Sequence, residues 1–186
     1  MSSFSIASRY AKSLIDLAIE QGKLEIVLGD VEGFVKAAQN HDFALLLKSP
    51  IVKSDKKDKI LDALFQGKMD KLTISFLHIV IRKGRESQLS DIAIQFINQY
   101  REIKGISIVN VVSTEPLDEE TLSAIRKKLV ESKLTRGNIQ FNTSIDKNLI
   151  GGFVISFEDK LYDASVVHQL DELRKKFSSK EYQAAI

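Results

Sequence analysis

The sequence predicts an α+β fold in two parts: a six-helix bundle over residues 1–105 and a small α/β domain over residues 106–186. Three observations carry this. Apolar residues recur at three- and four-residue spacing up to about residue 104, the period of an amphipathic helix. At Gly105 the period gives way to short β-branched runs. Proline interrupts the chain only at Pro50 and Pro116, which leaves room for long helices.

The elements follow in order. Ile6, Ala7, Tyr10, Ala11, Leu14, Leu17 and Ala18 share one face of a first helix, and Gly22 is its expected stop. A second helix aligns Leu24, Val27, Leu28, Val31, Phe34, Val35 and Ala38. A short third helix carries Phe43, Leu46 and Leu47 and ends before Pro50, which disfavours helix at Ser49. Ser54 is the expected N-cap of a fourth helix, "DKKDKILDALF", whose charged start "KSDKKDK" reads as solvated. The fifth, "KLTISFLHIVIRKGR", is very apolar. The sixth places Leu89, Ile92, Ala93, Phe96, Ile97 and Tyr100 at helical spacing.

After Gly105, "ISIVNVVS" reads as a strand. Asp118 caps a helix whose first turn holds Glu119 and Glu120, where the helix dipole favours negative charge. Its stripe is Leu122, Ile125 and Leu129. "NIQFNTSI" alternates as a half-buried strand does. "GGFVISF" and "KLYD" read as two more strands joined by a turn at Glu158-Asp159. Ser165 caps a last helix with Val166, Leu170, Leu173 and Phe177 on one face, and the tail "SSKEYQAAI" has little to bury.

Composition excludes several classes. With 186 residues and 44% hydrophobic content, the chain can build one domain core or two small ones. A net charge of +2 gives no strong pull toward nucleic acid or an acidic membrane surface, and the basic residues are not interleaved with aromatics. No cysteine is present, so disulfides and thiolate metal sites are ruled out. No apolar run reaches the ~20 residues that span a bilayer. The amino-terminal "MSSFSIASRYAK" lacks a signal-peptide core, which points to a soluble cytoplasmic protein.

Candidate chemistry is sparse. Gly151 and Gly152 are adjacent, no Lys-Ser or Lys-Thr follows them, and the next segment reads as strand. A phosphate loop needs spaced glycines that open a helix, so these mark a bulge or close backbone approach instead. Glu158 and Asp159 read as a solvated turn, and Asp163 as an organiser of the last helix's start. His41, His78 and His168 are far apart, and His78 sits in an apolar helix without a neighbouring ligand residue. No residue is assigned as catalytic, cofactor-binding or metal-binding.

The informative excess is hydrophobic. A bundle helix needs about 100° of apolar surface toward one core. In the fifth helix Leu72, Ile74, Phe76, Leu77, Ile79, Val80 and Ile81 nearly encircle the axis, and the first helix also has a wide apolar arc. Either the fifth helix is buried all round, or the two helices leave a groove for a partner helix. Periodicity does not choose.

Five stretches in order carry a resemblance: "ASRYAKSLIDLA" (7–18), "LLKSPIV" (46–52), "QFINQYREIKG" (95–105), "VVSTEPLDEE" (111–120) and "IDKNLIGGFVISFEDKLYDASVVHQLDELRKKF" (145–177). Together they resemble the delta subunit of bacterial F-type ATP synthase, which is similar to the mitochondrial oligomycin-sensitivity-conferring protein. The family often has a turn glycine where this chain has Glu158-Asp159. The resemblance implies a non-catalytic stator subunit without cofactor. It would join the alpha subunits of the catalytic head to the b subunits of the peripheral stalk, and would reach the cytoplasmic face of the membrane only through the complex. It further implies a groove between the first and fifth helices for the alpha-subunit N-termini, at Ala7, Tyr10, Ala11, Leu14, Leu77, Val80 and Ile81. Gly151, Gly152, Asp163 and Ser165 are its C-terminal motif residues. A helical adaptor unrelated to ATP synthase, and a nucleotide enzyme using the glycine pair, are the competing readings.

Overall fold

The computed structural model describes residues 3–131, 138–157 and 160–178. The expected turn at Glu158-Asp159 and the tail beyond Ser178 lie outside the described residues. Eight α-helices and a four-stranded sheet are present among the described residues, so the chain is mixed helix and sheet. It divides into two compact units, Met1–Ile103 and Lys104–Ile186.

The first unit holds α1 (Ser3–Glu20), α2 (Leu24–Ala38), α3 (His41–Lys48), α4 (Ser54–Phe65), α5 (Lys71–Arg82) and α6 (Leu89–Lys104). A single 3-10 turn, Glu86–Gln88, precedes α6. The helix stops and starts have local causes. Gly22, at φ +66°, ends α1 in a Schellman arrangement, with the Lys23 amide donating to the Ala18 carbonyl at 2.8 Å and the Gly22 amide to Ile19 at 3.0 Å. The Asn40 side chain caps α3 by accepting from the Asp42 and Phe43 amides at 2.9 and 3.3 Å. Asp70 caps α5 by accepting from the Leu72 amide at 2.9 Å. α4 departs from the Ser54 expectation. It begins one residue earlier, with Lys53 at the cap position and no side-chain bond to the first amides.

One apolar core fills this unit. Phe34, Phe43 and Phe65 bring α2, α3 and α4 together, with ring centroids 5.8–6.0 Å apart and two of the three pairs edge-to-face. Phe96 of α6 and Ile15 of α1 are fully enclosed.

Lys57 corrects the reading of "KSDKKDK" as a solvated start. Its side chain is 2% exposed. Lys57, Leu61 and Phe65 form the buried stripe of α4, at i, i+4 and i+8, so the lysine occupies a core position. Its amine donates to the Leu47 carbonyl at 3.0 Å and to Glu86 Oε1 at 2.9 Å. Burial raises the Glu86 carboxyl, but the hydrogen bond and charge of Lys57 outweigh it, and the net shift is downward. The stabilisation from Glu86 is therefore present above the ordinary carboxylate range and is lost as pH falls.

The second unit runs β1 (Ile106–Ser113), α7 (Glu119–Glu131), β2 (Asn138–Ile145), β3 (Phe153–Phe157), β4 (Lys160–Asp163) and α8 (Val166–Ser178). The sheet order is β2-β1-β3-β4. β1 and β2 are parallel, and α7 is the crossover such a pair requires. β3 pairs antiparallel with β1, and β4 with β3. The core sits on one sheet face, where Val109, Val111, Ile155 and Phe157 meet Ile125 and Leu129 of α7. Asp118 caps α7 by accepting from the Thr121 amide at 3.0 Å.

Replacing Lys57 by Met removes both donors and leaves Glu86 uncompensated. The expected cost is roughly 3 kcal/mol, the scale for removing one partner of a buried pair. Urea unfolding followed by helix circular dichroism measures it. Adding Glu86→Gln should recover part of the loss, and a cost below about 0.5 kcal/mol would mean the pair behaves like a surface bridge.

Candidate docking surfaces

Ala7, Ala11, Leu14, Leu77, Val80 and Ile81 are all core residues, 0–7% exposed. Of the residues named for the groove, only Tyr10 is partly accessible. This follows from helix geometry: the stripe that best fits the helical period is the one the core takes. Reachable apolar surface lies at the edges of the arcs, at Leu17 on α1 (41% exposed) and Ile79 on α5 (51%), with Phe76 half-buried.

These edge residues do form a depression. Leu17, Leu72, Phe76 and Ile79 line a groove of about 340 Å³ between α1 and α5. Tyr10 meets Phe76 edge-on, ring centroids 6.4 Å apart, and the Arg85 guanidinium lies 6.0 Å from the Tyr10 ring centroid. A salt bridge of 2.9 Å between Lys23 and Asp70 stands at the groove's rim. The Leu72 amide, and after it Lys23, hold the Asp70 carboxyl below the usual range. The groove is thus lined by apolar Leu17, Leu72, Phe76 and Ile79, with Gln21 and Ser75 among them and charge at Lys23, Asp70 and Lys71.

His78, on α5, is a satisfied histidine. Its Nδ1 lies 2.9 Å from Asp58 and its Nε2 3.0 Å from Asp62, both on α4. The two nitrogens address different carboxylates and do not converge on one point.

In the second unit the paired glycines are architectural. Ile150 has φ +62° and ψ −37°, and the Gly151 amide donates to the Leu149 carbonyl at 2.6 Å, a tight γ-turn that a β-branched residue rarely adopts. Gly152 has φ +80°. A β-carbon there would run into the Ala164 carbonyl oxygen and come within 3.1 Å of Ser165 Cα. A β-carbon on Gly151 would stand 3.0 Å from Val166 Cγ2. The space a phosphate would need beside these glycines is filled by the start of α8. The backbone completes the junction: the Val166 amide donates to Gly151, and the Ala164 amide to Phe153, both at 3.0 Å.

Asp163 and Ser165 then start α8. Asp163 accepts from the Ser165 amide at 2.8 Å, and Ser165 Oγ accepts from the His168 amide at 3.1 Å. Hydrogen bonds from Ser165, hydroxyl first and then amide, hold the Asp163 carboxyl low. Its contribution is present above the ordinary carboxylate range and disappears as pH falls. What the sequence reading missed is the fate of α8's stripe. Val166, Leu170, Leu173 and Phe177 are 36–71% exposed. Their 4-3-4 spacing is that of a coiled-coil seam, which is the signal that marks an unpaired face.

Gly152→Ala should destabilise the second unit by roughly 3 kcal/mol, since backbone strain and the collision add. Gly22→Ala, with a similar φ of +66° but open space at its β-carbon, is expected to cost about 1 kcal/mol. Thermal unfolding of the two variants decides. Equal costs would mean the close approach to Ala164 contributes nothing.

Comparison with known proteins gives one answer. The sequence pattern of the family described as ATP synthase delta (OSCP) subunit matches residues 6–177. ATP synthase subunit delta of Cytophaga hutchinsonii is 41% identical over 174 residues, 93% of this chain and 94% of that protein. The subunit delta of Moorella thermoacetica is 35% identical, covering 93% and 96%, and that of Amoebophilus asiaticus 32%, covering 97% and 98%. A chain in the cryo-EM structure of the Toxoplasma gondii mitochondrial ATP synthase hexamer shares the fold, with a TM-score of 0.67, 23% identity, and coverage of 97% and 98%. The chain belongs to the ATP synthase delta (OSCP) family, structural and non-catalytic subunits of ATP synthase.

Proposed function

We propose that this chain is the stator link of an F-type ATP synthase. Its helical unit binds the N-terminal segments of the catalytic head's alpha subunits, and its second unit binds the b subunits of the peripheral stalk. The observation that carries the reading is the family match along residues 6–177, joined to a 41% identical subunit delta across 93% of the chain. Rotation of the central shaft drags on the catalytic head. A static link resists that torque, and proton flow is then coupled to ATP synthesis.

The surfaces described above have the chemistry such a link needs. The helices α1 to α6 act as a six-helix bundle that presents the α1–α5 groove. An amphipathic alpha-subunit segment would lay its apolar face against Tyr10, Leu17, Phe76 and Ile79. Each anchor buried in this way contributes roughly 1.5–3 kcal/mol. The buried Ala7, Ala11, Leu14, Leu77, Val80 and Ile81 support the groove from beneath. On the second unit, the exposed seam of α8 suits a helix of the stalk, with Gly151, Gly152, Asp163 and Ser165 fixing how α8 starts. No helix among the described residues is long and apolar enough to cross a membrane. Association with the cytoplasmic face of the membrane comes through the other subunits.

The test is a calorimetric titration of the full chain with a synthetic peptide of the alpha subunit's N-terminus. Saturable one-to-one binding is expected. Tyr10→Asp and Ile79→Asp should each weaken it by about tenfold or more, because each sets a charge in an apolar interface. Ala11→Asp is a different experiment: that site is 0% exposed, so this variant should lose its fold. Unchanged affinity in folded Tyr10→Asp and Ile79→Asp proteins would sink the groove assignment.

A further inference from the structure

We propose that the α1–α5 groove selects an amphipathic helix that carries acidic side chains along the polar flank it turns toward α5. This rests on the groove being the docking site, and it adds the charge of what docks. The wall that α5 offers is bordered by cations. Helix geometry places Lys71, Ser75 and Arg82, at four- and seven-residue steps, on the strip beside Ile79. Lys71 and Arg82 are exposed. Their eleven-residue separation is about 16 Å along the helix axis, so the apolar wall has a positive charge at each end. An exposed Lys83 follows, and then Arg85, whose guanidinium lies 6.0 Å from the Tyr10 ring centroid, at the end of the groove away from Lys23.

The neighbouring carboxylates are engaged elsewhere. Asp70 accepts from the Leu72 amide at 2.9 Å and is bridged by Lys23 at 2.9 Å. Asp30 of α2 accepts from the Thr73 hydroxyl at 2.7 Å and the Asp70 amide at 2.9 Å. Asp58 and Asp62 of α4 lie 2.9 and 3.0 Å from the His78 ring. Glu86 is bound by Lys57 at 2.9 Å. On the outer side of α1 the exposed charges balance, Arg9 and Lys12 against Asp16 and Glu20. No ion pair among the described residues engages Lys71, Arg82 or Lys83. The α5 border of the groove is therefore positive and the α1 border close to neutral.

A helix lying in the groove turns its apolar face to Leu17, Phe76 and Ile79, and its two polar flanks pass over α1 and α5. Asp or Glu on the α5 flank would meet Lys71 and Arg82, whereas Lys or Arg there would be repelled. Charges at a solvated rim act on encounter rate, register and the exclusion of wrong partners more than on affinity. The apolar contacts hold the helix, and the border of α5 chooses it.

The probe is a synthetic peptide of the alpha subunit's N-terminus from the same organism, titrated calorimetrically into the full chain at about 20 mM and about 300 mM salt. Lys71→Glu and Arg82→Glu, with folding checked by circular dichroism, should each weaken binding about threefold or more at low salt, and less at high salt. A peptide with its Asp and Glu replaced by Asn and Gln should lose affinity for the unaltered chain in the same way. Lys36→Glu makes the same change in net charge at an exposed position of α2 that does not line the groove, and should leave binding unchanged. Binding that Ile79→Asp abolishes but Lys71→Glu and Arg82→Glu leave unchanged or strengthen would overturn the charge selection and keep the groove. An equal loss from Lys36→Glu would overturn it too, since net charge alone would then be the cause. No binding by the unaltered chain would remove the groove assignment and this inference together.

Discussion

α5 carries more apolar surface than one core takes up: its outer face holds Lys71, Ser75 and Arg82, but also Ile79. Leu72, Leu77, Val80 and Ile81 enter the core, which fixes its rotation about its own axis. Phe76 is then set against Tyr10 of α1, Ile79 is left facing outward, and His78 meets α4. The groove wall and the core are thus two sides of the same 12-residue element. A partner pressed on Ile79 and Phe76 pushes on side chains backed by close-packed neighbours, which yield little. That construction suits the torque-bearing contact proposed above.

The second unit meets a similar demand by another route. Its sheet is covered on the core face by α7. The start of α8 is pinned by the Gly151–Gly152 turn, by two backbone hydrogen bonds and by the Asp163–Ser165 cap. Beyond that anchor the apolar residues of α8 face solvent. Each unit therefore has its own core and its own uncovered apolar surface. This is what a two-ended connector requires, and neither end calls for catalytic chemistry.

Much of this was legible in the sequence because its causes are local. Gly22 as a stop and Asp118 and Ser165 as caps depend only on a few consecutive residues, and the structure has each of them. The order β2-β1-β3-β4 was not legible, since pairing depends on contacts distant in sequence. The γ-turn at Ile150 gave no signal, because a β-branched residue is an unexpected choice there. Lys57 was misread because its charge was weighed above its position, although Leu61 and Phe65 continue its stripe at four-residue steps. The groove teaches the same lesson in reverse. A depression lies between α1 and α5, the pair that the resemblance implied, but the residues named for it lie at the centre of each apolar arc, which the core takes. The accessible apolar surface lies at the edges, at Leu17, Phe76 and Ile79.

The central claim is that one chain holds two partners at once. It is tested most directly by mixing the purified catalytic head, this chain and the soluble part of the b subunits, and measuring the masses formed by analytical ultracentrifugation. The account predicts one species containing all three, and no association of head with b when this chain is left out. Head and b associating equally well without it, or binding of one partner expelling the other, would contradict the account.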